Sequence, residues 1–143
     1  NWCLTNFKDV KYICCIYATA PFLQVNYLKE AYEILINNHA SSIFSVTQFS
    51  FPIFRAFKIE NGKLKMFWPK HETTRSQDLP EAYHDAGQFY WVDFKKFITK
   101  PKIYYSDSLP IILPNYLVQD IDTLEDWDIA ELKYRIINNH SII

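Results

Sequence analysis

Apolar residues in the first third of the chain follow strand and helix patterns in turn. Residues 10–17 form a continuous run of β-forming side chains, which is typical of a strand buried within an α/β sheet. Residues 25–38 carry apolar side chains at helical spacing, and residues 42–49 have the β-formers of a second strand. The inward positions of the helix are Leu28, Ala31, Tyr32 and Leu35. This order predicts a β-α-β unit and favours a parallel sheet.

The pattern changes after residue 50. Residues 54–59 and 63–68 flank Asn61-Gly62, a dipeptide that predicts a tight hairpin between β-forming segments. The polar residues 69–80 are expected to be irregular, and residues 88–91 are expected to form a strand. Residues 52–90 are therefore predicted to be an antiparallel excursion from the α/β layer. Such an excursion can cover a ligand pocket or reach a partner subunit.

The last third of the chain has shorter signals and one long helix. A short helix is predicted over residues 92–100, with Phe94 and either Phe97 or Ile98 turned inward. Short strands are predicted at 103–105 and 111–113, and a helix over 123–139. The inward stripe of that helix is expected to be Trp127, Ala130, Tyr134 and Ile137. With no repeat or linker in the sequence, we expect one α/β domain over residues 1–143.

Two aspartates immediately precede the last helix. If the chain is extended there, Asp120 and Asp122 point to the same face. Two convergent carboxylates near the end of a strand suit a hard divalent cation when a substrate phosphate supplies further oxygens. Thr123 is expected to cap the helix, with Asp126 as its capping-box partner. The alternative interpretation is a solvated acidic turn with a helix cap.

Other polar residues have a structural explanation beside each functional one. Arg75 and Gln77 can bind anions or sugar hydroxyls, or can simply be a solvated loop. Gly87 can allow a ligand to approach the backbone, or can mark a bulge before a strand. His84 adjoins Asp85, but neighbours in an extended segment face apart, which argues against a catalytic pair. His39 and His140 are expected to end helices, where a cation is favoured.

Composition excludes several classes of protein. The formal net charge is −1, so electrostatic capture of nucleic acid or of an anionic membrane is not expected. Aromatic residues make up 17% of the 143 residues, which is typical of a globular protein. Two glycines leave no room for a glycine-rich phosphate loop. Cys3, Cys14 and Cys15 fit no zinc pattern, and we expect buried thiols in a reducing cytoplasm. Because the chain begins with Asn1, we expect it to be an internal-to-C-terminal piece of a larger protein.

Several segments, taken together and in order, resemble the C-terminal part of the acylneuraminate cytidylyltransferase family. The long block of residues 75–91 and the block of residues 120–123 are specific to this resemblance. The matching residues are 15–22, Ser45-Val46-Thr47, Phe51-Pro52-Ile53, residues 75–91, and Asp120-Ile121-Asp122-Thr123.

The resemblance implies a Rossmann-like nucleotide-diphospho-sugar transferase fold that is incomplete at its N-terminus. It also implies an Mg²⁺-dependent transfer of CMP from CTP to a nonulosonic acid, in a cytoplasmic homodimer joined through the antiparallel excursion. By this likeness Asp120 and Asp122 hold the metal, and further residues bind the substrates. Those implied to bind substrate are Tyr17, Thr19, Pro21, Arg75, Gln77, Tyr83, Gly87, Gln88 and Tyr90.

The departures from the family pattern concern the sugar and the phosphates. Members that act on sialic acid typically have glutamine at the position of Tyr17 and asparagine at that of Ala86. The lost amides argue against sialic acid and agree with members that act on pseudaminic acid. The family's N-terminal phosphate-holding loop has no counterpart in these residues, so we expect negligible activity from the 143-residue chain alone. The alternatives are another sugar (legionaminic acid, sialic acid or KDO), a truncated non-catalytic dimerising module, or an unrelated α/β binding domain.

Overall fold

The computed structural model describes residues 5–6 and 9–139, and it is an α/β fold built on a mixed sheet. The sheet has the strand order β1 (Tyr12–Ile16), β5 (Tyr83–Asp93), β2 (Ser42–Gln48), β6 (Leu109–Ile112). A separate hairpin pairs β3 (Phe57–Glu60) with β4 (Lys63–Met66). The described helices are α1 (Val25–Asn37), α2 (Phe94–Thr99) and α3 (Leu124–Asn139). None of the described helices has the length and apolar character needed to cross a bilayer.

The predicted parallel sheet is wrong, because β5 lies between β1 and β2 and runs antiparallel to both. The first two strands therefore run in the same direction without pairing, and the parallel pair is β2 with β6. The predicted strand at 88–91 is the middle of an eleven-residue strand. Residues 83–90 thus belong to the main sheet, and the excursion ends before them. Its predicted hairpin is confirmed, with positive φ at both Asn61 and Gly62.

The core lies between α1 and the sheet. Ala31 and Leu35 of α1 are fully buried, as is Ile43 of β2. They pack with Phe89 of β5 and Ile111 of β6 in one cluster. The predicted inward positions Leu28, Ala31 and Leu35 are therefore confirmed, and burial of such apolar side chains supplies most of the stabilisation. The prediction for Tyr32 is wrong, because this side chain is 37% exposed at the border of the helix face.

Other burial predictions are wrong for strand β1 and for part of helix α3. Strand β1 is an edge strand within the described residues, so Cys15 and Ile16 are exposed and Cys14 is only half-buried. The main cause of the raised pKa of the Cys14 thiol, about 11, is this partial burial. Trp127 and Tyr134 on α3 are more than half exposed, whereas Ala130 is buried as predicted. Ile137 also packs inward as predicted, beside Phe22 and Leu117.

The remaining differences are local. Residues 103–105 form no strand, because Tyr105 donates its backbone N–H to the hydroxyl of Ser108 at 2.7 Å in a turn. Helix α2 is shorter than predicted and is capped by Asp93, whose carboxylate accepts the N–H of Lys96 at 2.9 Å. In this helix Phe94 is buried and Phe97 is half-buried. His39 follows the end of α1 as predicted, while Cys3 and His140 lie outside the described residues.

Removal of the Leu35 side chain tests the position of the core. Leu35→Ala is expected to lower the free energy of unfolding by about 2–5 kcal/mol, because it leaves a cavity at a fully buried position. The measurement is chemical denaturation of the purified chain. Leu64→Ala, at a 69% exposed position in β4, is the matched control and should change the same quantity by less than about 0.5 kcal/mol. Equal losses would place the core elsewhere.

Candidate functional site

A bulge in the central strand shapes the candidate site. Phe44 of β2 lies opposite Tyr90, whereas Val46 lies opposite Asp85, so β5 advances five residues while β2 advances two. The extra residues of β5 include Gly87, whose φ is +62°. Residues with a β-carbon rarely adopt this conformation, so the glycine permits the bulge. The prediction that Gly87 marks a bulge is confirmed.

Asp85 fastens the two sides of the bulge together. Both of its carboxylate oxygens lie 2.8 Å from the Tyr90 hydroxyl, and one also accepts the backbone N–H of Gly87 at 2.8 Å. Burial first, and then this hydrogen bond, raise the pKa of the Tyr90 phenol above its ordinary value. The Tyr17 ring packs on Tyr90 with centroids 5.1 Å apart. Tyr17 and Tyr90, predicted separately for the substrate pocket, are therefore adjacent.

The Asp120 carboxylate lies directly against this bulge. A β-carbon placed on Gly87 would be 3.8–3.9 Å from three atoms of that carboxyl group. The absence of a side chain at residue 87 therefore leaves the face of the bulge open to Asp120. The strand and the acidic loop, 33 residues apart in sequence, meet at this point.

The acidic loop is fixed at both ends. At its start, the Gln88 amide donates to the carbonyl of Leu117 at 2.5 Å, and Lys133 Nζ donates to the carbonyl of Val118 at 2.7 Å. At its end, the N–H of Thr123 donates to the Asp126 carboxylate at 2.9 Å, and the N–H of Asp126 donates to the Thr123 hydroxyl at 3.2 Å. The predicted capping box is therefore confirmed.

Asp120 and Asp122 are not at the end of a paired strand, as had been predicted. They lie in a loop that follows a short 3-10 turn (Asn115–Leu117), because residues 118–122 have no neighbouring strand. Both side chains are exposed, and the described residues offer neither carboxylate an ion-pair partner. No group of three or more potential ligands occurs among residues 5–6 and 9–139.

An apolar pocket of about 440 Å³ borders the acidic loop. Pro21 and Phe22 form one side, Ile121 comes from the loop itself, and Trp127 and Tyr134 project from α3. Thr19, also predicted to contact substrate, is exposed in the turn just before Pro21. The structure thus brings the segment around Pro21 next to the loop that carries the aspartates.

Three predicted substrate-binding residues, Arg75, Gln77 and Tyr83, make no described contact with the bulge or with the acidic loop. The Arg75 guanidinium forms an exposed ion pair with Asp78 at 2.8 Å. Gln77 lines a different groove, of about 300 Å³, with residues 48–53 and 79–82. The Tyr83 hydroxyl donates to the Glu81 carboxylate at 2.6 Å, and this bond is the main cause of the raised pKa of Tyr83.

The structure also changes the interpretation of residues 84–88. Ala86 is buried in the main core, so its lack of an amide bears on packing and carries no argument about sugar specificity. Gln88 is buried too, with its amide turned to the Leu117 carbonyl. The imidazole of His84 contacts the Asp85 backbone carbonyl, at 2.8 Å, and not the Asp85 carboxylate. The two side chains therefore have different partners, since the Asp85 carboxylate accepts the Tyr90 hydroxyl.

Two residues at the site were missed by the sequence analysis. Asp85 was considered only as a partner for His84, although an aspartate two residues before a strand glycine can accept that glycine's N–H. Lys133 gave no local signal, since a lysine in an amphipathic helix is ordinarily solvated. Its half-buried position, which lowers the pKa of its ammonium group, comes from the tertiary packing of α3.

Comparison with known proteins finds relatives whose names all include the same enzyme activity. The chain is 45% identical over 130 residues, 90% of its length, to proteins named pseudaminic acid cytidylyltransferase from two strains of Campylobacter jejuni. It is 36% identical over 125 residues, 87% of its length and 24% of that of the relative, to a Helicobacter pylori protein named pseudaminic acid cytidylyltransferase and UDP-2,4-diacetamido-2,4,6-trideoxy-beta-L-altropyranose hydrolase. No protein-family model matches the chain. It spans 55% of the length of the Campylobacter relatives, and the resemblance inferred from the sequence is confirmed.

Gly87→Ala tests how closely Asp120 approaches the strand. The substitution is expected to lower the free energy of unfolding by about 1–2 kcal/mol, because alanine is strained at a φ of +62°. Gly62→Ala is the matched control, at a φ of +72° with no atom within 4 Å of the new β-carbon. Chemical denaturation should give similar losses, since 3.8 Å is an ordinary contact distance. A far larger loss at Gly87 would mean that Asp120 sits closer than described.

Asp85→Asn tests the fastening of the bulge. Removing the anionic acceptor is expected to lower the free energy of unfolding by about 1–3 kcal/mol, because the Tyr90 hydroxyl and the Gly87 N–H lose a charged hydrogen-bond partner. The measurement is chemical denaturation of the purified chain. Asp128→Asn, an exposed substitution on α3, should change the same quantity by less than about 0.5 kcal/mol. Equal losses in the two variants would contradict the described contact.

Proposed function

We propose that this chain is part of a cytidylyltransferase that transfers CMP from CTP to pseudaminic acid and releases pyrophosphate. The observation that carries the proposal is the pair of exposed carboxylates Asp120 and Asp122, of which Asp120 lies against the Gly87 bulge, in a chain 45% identical to proteins of that name. In this reaction the anomeric hydroxyl oxygen attacks the α-phosphorus of CTP. The bond from that phosphorus to the bridging oxygen breaks, and the hydroxyl proton is lost.

The residues present fit a magnesium ion that is shared with the substrate. Mg²⁺ prefers oxygen ligands and is commonly held by one or two carboxylates together with substrate phosphates. Asp120 and Asp122 supply two exposed carboxylates with no competing ion pair among the described residues. When bound, the ion would offset the charge of the triphosphate and of the departing pyrophosphate. The role of the protein is to hold both carboxylates on a fixed loop.

The surroundings of the pair suggest where the sugar and nucleotide lie. Tyr17 and Tyr90 present adjoining rings at the bulge, and Pro21 adjoins the apolar pocket of about 440 Å³ beside Ile121. These groups can exclude water and orient a substrate whose phosphates lie at Asp120 and Asp122. Substrate contacts of Thr19 and Gly87 are part of the same proposal, whereas the buried Gln88 amide is engaged by the Leu117 carbonyl. Arg75 and Gln77 belong to the excursion and Tyr83 begins β5, and none of the three lines this pocket.

The excursion before β5 is proposed as a dimerisation arm. Its apolar side chains are mostly exposed, which favours a partner surface. Four of them are more than half exposed: Phe57, Ile59, Leu64 and Phe67. A groove of about 810 Å³ runs beside the hairpin, lined in part by Arg55 and Phe57. A second copy of this chain is the partner that the family resemblance implies, and the cytoplasm is the proposed compartment.

These 143 residues contain few of the groups that bind the phosphates of CTP in such a reaction. Triphosphate charge is stabilised by backbone donors, cationic side chains and metal together, and the two glycines here form a bulge and a hairpin turn. Asp120 and Asp122 provide for the metal alone. We therefore propose that activity requires further residues, of the kind that the longer relatives carry.

The test uses the chain alone and a completed chain. The completed chain joins this sequence to the part of the Campylobacter jejuni relative outside the matched region, in the order of that relative. With CTP, Mg²⁺ and pseudaminic acid, the completed chain should release pyrophosphate, and the 143-residue chain should not. Sialic, legionaminic and KDO substrates are run in parallel. A folded completed chain that is inactive with pseudaminic acid, or prefers another sugar, would refute the proposal.

Asp122→Asn in the completed chain is expected to reduce turnover roughly 100-fold or more, because it removes one of the two carboxylates proposed to hold the metal. Turnover is measured as pyrophosphate release at saturating CTP and sugar. Asp128→Asn is the matched control, since it removes an equal charge from an exposed position six residues later on α3. Near-normal turnover in Asp122→Asn would remove the metal role from this pair.

A further inference from the structure

Two consecutive backbone carbonyls at the start of the acidic loop are held by side chains from different elements. Gln88 of β5 donates to the carbonyl of Leu117, and Lys133 of α3 donates to that of Val118. Only Gln119 separates this pair of peptide groups from Asp120. The start of the loop is thus fixed against the sheet and against the helix at once.

The Lys133 contact is an unusual use of a lysine. Its ammonium group is part-buried and donates to a neutral carbonyl, at 2.7 Å, and it forms no ion pair among the described residues. A long charged side chain loses rotamer freedom and hydration in such a position, and no acidic group compensates. A surface lysine with no positional role would extend its head group into water.

The same two elements also determine what surrounds Asp120. Gln88 follows Gly87, and the Asp120 carboxylate lies against Gly87. Helix α3 begins just after Asp122, where Thr123 and Asp126 fix the end of the loop. A shift of the Val118 peptide away from Lys133 would therefore move Asp120 relative to the bulge while leaving the far end of the loop in place.

We propose that Lys133, together with Gln88, is a positioning residue that sets the acidic loop so that Asp120 and Asp122 face the same ligand. The inference rests on the proposed function, since the ligand is the metal–triphosphate of that reaction. It assigns Lys133 no contact with substrate. Residues that orient metal ligands commonly change metal affinity by 10–100-fold when replaced.

The first experiment needs neither metal nor substrate. Hydrogen exchange is measured on the 143-residue chain at the amides of Val118 and Ile121, which donate hydrogen bonds to the Asn115 carbonyl and to the Asp120 carboxylate. Lys133→Met keeps the length of the side chain and removes its donors, and about tenfold faster exchange is expected at these amides. Lys95→Met removes an equal charge from an exposed position on α2 and should change nothing there. Unchanged exchange in Lys133→Met would overturn the inference.

The second experiment uses the completed chain and varies the Mg²⁺ concentration. Lys133→Met is expected to raise the Mg²⁺ concentration for half-maximal pyrophosphate release about tenfold. Lys133→Arg, which keeps a donor, should recover most of that loss, and Lys95→Met should match the parent. Faster exchange with an unchanged Mg²⁺ requirement would overturn the positioning role, as would a rise in the KM for CTP alone. An inactive parent would refute the proposed function, and hydrogen exchange would still decide whether Lys133 anchors the loop.

Discussion

The positive φ of Gly87 is the constraint on which the candidate site depends. It lets β5 gain residues relative to β2 without ending the sheet, so the strand continues on both sides of the bulge. Asp85 then bonds across the bulge to Tyr90, and the open face of the glycine accommodates Asp120. A side chain at this position would cost backbone strain and would occupy the space beside the carboxylate. The site therefore begins with one residue that has no side chain.

Four nearby aspartates differ in what already occupies their oxygens, and this difference is why the proposed cation is assigned to Asp120 and Asp122. Asp85 accepts hydrogen bonds from Tyr90 and Gly87, and Asp126 is engaged by the cap of α3. Bonds from Thr123, first its side chain and then its backbone, lower the pKa of Asp126. Asp120 accepts only the N–H of the next residue, and the Asp122 carboxylate accepts no described bond. Saturated carboxylates hold the fold together, and unsaturated ones remain available for a ligand.

Local signals in the sequence predicted most helices and strands and the acidic pair. They did not predict which strands pair with each other across long stretches of sequence. Helix α1, the hairpin and the Thr123–Asp126 cap each follow from residues a few positions apart. The insertion of β5 between β1 and β2 depends on contacts between residues that are 35 to 81 positions apart, which periodicity does not encode. The bulge further concealed β5, because an inserted segment interrupts the alternation that identifies a strand. Asp85 and Lys133 were missed for the same reason.

The wrong burial predictions are concentrated on two elements and share one physical cause. Strand β1 is apolar on both faces, yet it lies at an edge of the described sheet with Ile16 exposed. Helix α3 is apolar around much of its circumference, with Trp127, Leu132 and Ile136 more than half exposed. Such patterns are typical of elements covered on all sides. The pattern records how much surface an element must bury, and it does not record whether the covering surface belongs to the same 143 residues. Here the predicted burial exceeds what those residues supply, and part of the excess, Trp127 and Tyr134 of α3, lines one pocket with Ile121 of the acidic loop.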